Sequence, residues 1–275
     1  MDYVQEMFGL EGKRVAITGG GGVIAGAMSE ALLRAGAKVA LWDIDRKFSD
    51  AAVERLAERL SESTGLGNAL LSVACDAMDH ASVGEAVDAT VSGIGGLDVL
   101  INAAGGNRGK SAFLDTDIEQ FEFVLKLNLV AGLMVPTQVL AKYWIDNDLP
   151  GTIINLASMA SYIPLSGVWA YDAAKSAVMN LTMGAAKEFA PHKIRVNAIA
   201  PGFFIGKQNK ALLIDEETGN LTARGQAVID HTPFGRFGDA SELSGVTLFL
   251  ASDQAAGFVT GVTIPVDGGY LIQNI

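Results

Sequence analysis

A single cysteine, Cys75, and three scattered histidines, His80, His192 and His231, are all that this 275-residue chain holds of two chemically versatile residue types. An intramolecular disulfide is excluded, and no His/Cys cluster has metal-ligand spacing, so no metal is expected. Cys75 lies in the apolar run ALLSVAC, which points to a buried, inert thiol. Basic residues are also few: 20 Lys and Arg against 31 Asp and Glu give a formal net charge of −11. That field repels phosphates, opposing nonspecific binding to nucleic acid or an anionic membrane, so an anionic ligand needs a local cluster of donors. The opening MDYVQEMFGLEGKR lacks the continuous apolar core of a signal peptide, and no later stretch is an uncharged span of membrane-helix length. A soluble cytoplasmic protein is expected. No Pro/Gly/Ser linker, repeat or low-complexity tract divides the chain, so residues 1–275 read as one domain.

What the chain does have is alternation. RVAIT (14–18), KVALWD (38–43), ALLSVAC (69–75), LDVLIN (97–102), GTIINLA (151–157), KIRVNAIA (193–200) and VTIPVD (262–267) read as strands. Their nearly continuous apolar character fits strands covered on both faces of a parallel sheet. Stretches 23–35, 49–63, 80–94, 117–146, 168–190 and 240–251 read as helices. The pattern predicts an α/β fold, a doubly wound parallel sheet of about seven strands with helices on both faces. One segment breaks the rhythm: an insert at about 203–238 carries short helix signals and a turn-like ETGN, as a lid or binding loop would.

The first strand runs into TGGGGVIAG, Thr18 to Gly26, which fits neither common glycine spacing: Ile24 ends one pattern, and Val23 and Ala25 interrupt the other. Phosphate binding at such a turn uses backbone N–H groups and the helix dipole, not side chains. Gly19 to Gly22 leave the backbone free to offer the N–H groups of Gly21, Gly22, Val23 and Ile24 to a pyrophosphate; the plainer reading is a structural turn. Asp43 ends the second strand 24 residues beyond Gly19, where a carboxylate accepts from a ribose diol and repels a 2′-phosphate. NAD(H) is therefore expected over NADP(H), with Arg46 close by as a complication. Asp76, followed by Ala77, ends the third strand and is a candidate for the adenine amino group.

YDAAK, Tyr171 to Lys175, places a phenol and an ammonium on one helix face. Ser158 lies 13 residues upstream, just past a strand, at the carboxyl edge where open parallel sheets bind ligands. A free tyrosine titrates near pH 10, and a cation one turn away is expected to lower that value.

The order TGGGGVIAG, Asp43, NAAG (Asn102–Gly105), Asn128, Ser158, YDAAK, PG (Pro201–Gly202) and VDGG resembles a short-chain dehydrogenase/reductase over nearly the whole chain. The resemblance implies a Rossmann-type fold, a nicotinamide cofactor and a homotetramer with interfaces on helical runs 117–146 and 168–190. It implies a catalytic set of Asn128, Ser158, Tyr171 and Lys175. Ser158 would hold a carbonyl oxygen, Tyr171 would exchange its proton, and Lys175 would also hold the nicotinamide ribose. Asn128 would anchor a relay water. Asn102, Ala103, Ala104, Gly105, Pro201 and Gly202 would join the cofactor contacts. Family members usually carry glycine where Val23 and Ala25 stand, and Ser where Asp172 stands; Asp172 is expected to be a surface or interface acid.

GGNRGKSAF (105–113) and PGFFIGKQNKALL (201–213) should overlie the nicotinamide. Asn107, Arg108, Lys207 and Asn209, with Lys110, Gln208 and Lys210, suit a polyhydroxylated acid, the alternative being solvated loop charges. The loop TGGGGVI, PGFF…QN and the insert ending DHTPFGRFG are similar to the family's D-mannonate oxidoreductase, or fructuronate reductase, branch. A neutral sugar, ketose or polyol is the alternative substrate, and a non-catalytic NAD(H)-sensing relative is a third reading.

Overall fold

The computed structural model describes residues 2–60, 68–206 and 210–273. Seven strands form one parallel sheet: β1 (Arg14–Thr18), β2 (Lys38–Asp43), β3 (Leu70–Ala74), β4 (Val99–Asn102), β5 (Gly151–Leu156), β6 (Ile194–Pro201) and β7 (Thr263–Val266). Their order is β3-β2-β1-β4-β5-β6-β7. Each apolar run expected to be a strand is one. The order reverses between β1 and β4, which opens the crevice where doubly wound sheets take ligands. Across that point Thr18 pairs in register with Asn102, and Asn102 with Asn155, so three polar side chains share one row near the carboxyl edge. The edge strand β7 is an exception to two-sided burial: its residues are half-covered, and Pro265, which has no N–H to offer a neighbour, is exposed.

The helices are α1 (Tyr3–Phe8), α2 (Val23–Arg34), α3 (Arg46–Leu60), α4 (His80–Ile94), α5 (Ile118–Leu125), α6 (Val135–Asp146), α7 (Trp169–Phe189), α8 (Lys210–Leu213), α9 (Ala223–Asp230), α10 (Ser244–Ala251) and α11 (Asp253–Ala256). Strand alternation sorts the core into two layers. Val15, Ile17, Val39 and Leu41 face Met28 and Leu32 of α2, Leu56 of α3 and Leu250 of α10. Ala16, Ala40 and Trp42 face Val83 of α4 and Leu140 and Trp144 of α6. The indole N–H groups buried with them are satisfied: Trp42 donates to Thr90 Oγ1 at 2.9 Å and Trp144 to the Leu97 carbonyl at 2.9 Å.

The helix expected over 117–146 is not uniform. Between α5 and α6, Lys126–Met134 forms a π-helical stretch. Two features of the chain accompany it: Pro136 has no N–H for the helical ladder, and Asn128 Nδ2 donates to the Val124 carbonyl at 2.8 Å, inserting a side chain into the ladder. By length and composition the run Ile118–Asp146 could cross a membrane, yet half of its most apolar stretch is buried inside the fold. The helix expected over 240–251 opens as a 3₁₀ turn, Ala240–Leu243, before α10. The insert holds α8 and α9 around the expected turn, where Asp215 Oδ1 accepts from the Thr218 N–H at 2.8 Å and Gly219 takes φ +71°. α1 has no counterpart in the sequence reading; the Ser252 hydroxyl ties its Met7 carbonyl at 2.6 Å.

Two glycines test this packing in opposite directions. A Cβ on Gly20 would stand 2.7 Å from Leu41 Cβ and 3.0 Å from its Cα, whereas one on Gly84, inside α4, meets nothing within 4 Å. Gly20→Ala is expected to lower unfolding stability by about 2 kcal/mol, and Gly84→Ala to raise it by about 1 kcal/mol, both read by urea denaturation.

Candidate active site

The glycine loop is built into the switch point. Gly19 takes φ +65°, and a Cβ there would stand 3.0 Å from Ala104 Cα and 3.1 Å from the Ala103 carbonyl. Thr18 Oγ1 accepts from the N–H groups of Ala103 and Ala104, both at 3.1 Å, joining the ends of β1 and β4. Gly22 caps α2 in extended geometry with no side-chain partner, so the helix's first amides have no side-chain cap. The two departures from the usual glycines have different outcomes. Ala25 is 2% exposed on the buried face of α2, while Val23, the first residue of that helix, is 39% exposed. The Gly21 amide departs from expectation: it donates to Asp43 Oδ2 at 3.0 Å. The Gly22 amide is likewise taken, donating to the Gly19 carbonyl at 3.0 Å.

Asp43 thus locks the loop to the end of β2. Arg46, the cation that complicated its reading, pairs with Asp50 at 3.5 Å. Asp76 is partly engaged as a turn acid, its Oδ1 accepting from the Met78 N–H at 2.9 Å; Ala77 beside it is buried. Cys75 is buried, and desolvation, reinforced by Asp76, Asp43 and Asp79, pushes its thiol up to about 12, as an inert thiol requires.

Asn102 has an interior role. Its Nδ2 donates to Thr137 Oγ1 at 3.0 Å and Asn155 Oδ1 at 2.8 Å. Asn155 Nδ2 then donates to Thr182 Oγ1 at 2.9 Å. This buried chain ties β4 and β5 to α6 and α7, while the Asn102 Oδ1 is buried without a partner among the described residues. Asn128 is wholly buried in the π-helical stretch. Its Oδ1 accepts from the Gly106 N–H at 3.1 Å and its Nδ2 donates to the Gly106 carbonyl at 2.7 Å. A Cβ on Gly105 would lie 2.7 Å from Asn128 Oδ1 and 3.6 Å from Lys175 Nζ, so loop, helix and lysine converge there. The Asn128 side chain is committed to this loop and to the helical ladder.

Ser158, Tyr171 and Lys175 are brought together. Ser158 follows β5 and caps a short 3₁₀ turn, its hydroxyl accepting from the Ala160 N–H at 3.2 Å. Ser161 clamps the same turn onto α7: its hydroxyl donates to the Lys175 carbonyl at 2.6 Å and accepts from the Ser158 N–H at 3.3 Å. The buried Lys175 ammonium donates to the Leu156 carbonyl at 2.7 Å and stands 5.6 Å from the Tyr171 ring centroid. Desolvation lowers it to about 8.

Tyr171 corrects the expected acidity. Its phenol is raised above 10: desolvation dominates, a hydrogen bond with Ser158 pulls it down, and the Asp172 charge pushes it up again. Lys175 is spent on a backbone carbonyl and does not overcome that burial. Asp172 is a second correction. It is 8% exposed rather than a surface acid, with Oδ1 accepting from the Leu165 N–H at 3.2 Å. Desolvation raises its carboxyl above the usual range.

Of the expected substrate contacts, Lys207, Gln208 and Asn209 lie outside the described residues. Asn107 Nδ2 donates to the Gly109 carbonyl at 2.8 Å, and Arg108 stacks 4.0 Å from the Phe123 ring centroid. Both side chains are thereby engaged by their own loop and helix. Pro201 and Gly202 end β6 against the VDGG turn; a Cβ on Gly202 would lie 2.7 Å from Asp267 Cα.

Comparisons extend this picture. The family model described as enoyl-(acyl carrier protein) reductase matches residues 21–271. An uncharacterized oxidoreductase of Bacillus subtilis (strain 168), UxuB, is 40% identical, covering 96% of this chain and 97% of its own. The crystal structure of a candidate D-mannonate oxidoreductase from Haemophilus influenza, with bound NAD, has 34% identity and a TM-score of 0.87, covering 98% of this chain and 99% of that one. A gluconate 5-dehydrogenase from Burkholderia cenocepacia J2315, in complex with NADP and tartrate, has 30% identity and a TM-score of 0.86, covering 99% of this chain and 100% of that one.

The lowered Lys175 has a thermodynamic signature. The folded state binds this proton less tightly than the unfolded chain, so the group's contribution to stability rises with pH from about 8 towards the ordinary 10.5. The difference in unfolding free energy between the unmodified protein and Lys175→Met is expected to grow across that window by on the order of 3 kcal/mol. A difference that stays flat from pH 7.5 to 10.5 would contradict the lowered value.

Proposed function

The chain belongs to the short-chain dehydrogenase/reductase family, and we propose that it is an NAD(H)-dependent oxidoreductase acting on a sugar acid, interconverting D-fructuronate and D-mannonate. The observation that carries this reading is the gathering of Ser158, Tyr171 and Lys175 beside the glycine loop, at the carboxyl end of the sheet. The sugar-acid class draws on two relatives, the candidate D-mannonate oxidoreductase and the gluconate 5-dehydrogenase.

The residues fit a dinucleotide. The α2 terminus has no side-chain cap, and the positive φ of Gly19 lets the loop fold against the Ala103–Ala104 backbone. In this reading the amides of Val23 and Ile24 would hold the pyrophosphate and Asp43 the adenosine ribose. Asp76 and Ala77 would border the adenine; Ala103 to Gly105, Tyr171, Lys175, Pro201 and Gly202 would border the nicotinamide half. The two solved relatives hold different coenzymes, NAD and NADP, so the preference rests on Asp43, whose carboxylate would meet a 2′-phosphate while Arg46 is engaged by Asp50.

The bound coenzyme would supply the hydride. The chain's own residues handle the oxygen. Ser158 would hydrogen-bond the substrate carbonyl and hold its oxygen against the phenol. Tyr171 would then give its proton to that oxygen as negative charge develops there. A phenol raised above 10 is reliably protonated at neutral pH, so the site is prepared for reduction. Oxidation needs the phenolate and is favoured by higher pH. Lys175 would hold the ribose and anchor α7 through Leu156. A homotetramer through helical runs 117–146 and 168–190 belongs to the same proposal, for which light scattering is expected to give four times the 28.7 kDa chain mass.

NADH oxidation against D-fructuronate, D-tagaturonate, neutral ketoses and acetoacetate tests the reading. D-Fructuronate is expected to be the preferred substrate, and NADH to exceed NADPH in kcat/KM at least tenfold. Tyr171→Phe is expected to lower kcat by about 10³-fold while NADH binding, followed by fluorescence, persists. Turnover confined to neutral ketoses would remove the sugar-acid assignment, and full activity in Tyr171→Phe would remove the mechanism.

A further inference from the structure

Ser161 falls in none of the sequence motifs above, yet it bonds to two members of the candidate catalytic set. We propose that Ser161 is a positioning residue for the reaction: as the reciprocal half of a capping box with Ser158, fastened to α7 through the Lys175 carbonyl, it turns the Ser158 hydroxyl outward as a proton donor to the substrate's carbonyl oxygen. The inference rests on the catalytic reading of Ser158, Tyr171 and Lys175 and on no particular substrate.

The 3₁₀ turn Met159–Ser161 follows β5 closely, with Ser158 as its N-cap in extended geometry. The amides at such a start need acceptors, and two serines three positions apart supply them reciprocally. The Ser158 hydroxyl oxygen accepts from the Ala160 N–H at 3.2 Å, and the Ser161 hydroxyl oxygen accepts from the Ser158 N–H at 3.3 Å. The Ser161 N–H donates to the Ser158 carbonyl at 3.0 Å, closing the turn. Both serines are buried, so water does not readily replace either side chain if it is removed.

A hydroxyl has one proton and two lone pairs. The turn engages Ser158 as an acceptor only, so its proton remains to be given elsewhere. In the free protein the Tyr171 oxygen takes that position: the Ser158 bond favours the phenolate, as a donated proton does. Ser161 uses its own proton differently, donating to the Lys175 carbonyl at 2.6 Å. The ammonium of the same lysine holds the Leu156 carbonyl at 2.7 Å. Lys175 therefore brackets Ser158, gripping the chain two residues before it and three residues after it.

A neighbouring serine supplies the contrast. Ser176, exposed on α7, donates to the Ala160 carbonyl at 3.4 Å. It joins the same helix to the same turn, but the bond is long and engages no atom of Ser158. The other groups around the phenol are independent of Ser161. The Asp172 charge opposes the Ser158 bond, and the Lys175 ammonium stands 5.6 Å from the Tyr171 ring centroid. Removing the Ser161 hydroxyl leaves both of these in place, so a change at the phenol reports on Ser158.

A double-mutant cycle on Ser158→Ala and Ser161→Ala tests the proposal, using NADH and whichever ketone named above the unmodified enzyme reduces fastest. Ser161→Ala is expected to lower kcat about tenfold, with NADH affinity unchanged by fluorescence, and to add nothing in the Ser158→Ala background. Ser161→Thr, which keeps the hydroxyl, should retain most of the unmodified kcat, and Ser176→Ala all of it. In coenzyme-free Ser161→Ala, the ¹³C resonance of the Tyr171 phenol is expected to titrate at higher pH than in the unmodified protein, a readout that needs no substrate. Thermal melting checks that each variant is folded, and Ser161→Gly stands in if Ser161→Ala is not. Losses that add across the two serines, or an unmoved Tyr171 resonance, reduce Ser161 to a structural residue and overturn the proposal. Full kcat in Ser161→Ala beside a large loss in Ser158→Ala overturns it while the catalytic reading stands. Full kcat in Ser158→Ala removes that reading and the proposal with it.

Discussion

The donation from the Lys175 ammonium to the Leu156 carbonyl joins the last residue of β5 to the second turn of α7. The rest of the candidate site is arranged around it. Ser158 lies two residues beyond Leu156, and Tyr171 one helical turn before Lys175, so this bond sets the gap between hydroxyl and phenol. Ser161 secures the opposite side by bonding the Lys175 carbonyl and the Ser158 amide. Burial that makes the arrangement rigid also changes its acid–base character. It lowers the ammonium to about 8 and raises the phenol above its ordinary value.

The same economy of buried polar groups continues across the switch point. Asn102 Nδ2, Asn155, Thr137 and Thr182 are linked to one another and tie β4 and β5 to α6 and α7, with Asn102 Oδ1 left unpartnered among the described residues. Asn128 acts similarly from the π-helical stretch, fastening Gly106 over the crevice. Asp43 both restrains the glycine loop through Gly21 and brings negative charge to the end of β2. These groups illustrate how a site defined by its reacting side chains depends on others that touch only backbone.

The strands were legible because apolar runs of five to eight residues, bounded by glycine and polar turns, have few alternatives in an alternating chain. Tyr171 and Lys175 were legible through helical spacing, and Ser158 through its place after a strand. What resisted reading depends on neighbours distant in sequence. Helical phase turns Asp172 away from Tyr171, but only the fold reveals Leu165 covering it. The stacking of Arg108 on the Phe123 ring is likewise invisible in the sequence, 15 residues separating the two. The π-helical stretch leaves hydrophobic periodicity nearly intact, so a Pro136 in the run is its faint signal.

The most direct measurement is the titration of the Tyr171 phenol in the coenzyme-free protein, followed by NMR with [ζ-¹³C]tyrosine and assigned by loss of one signal in Tyr171→Phe. If burial governs this site, that resonance titrates above pH 10. A phenol that ionises below pH 10 without coenzyme would contradict the account, since the lysine would then be stabilising the phenolate and the site would hold a preformed base.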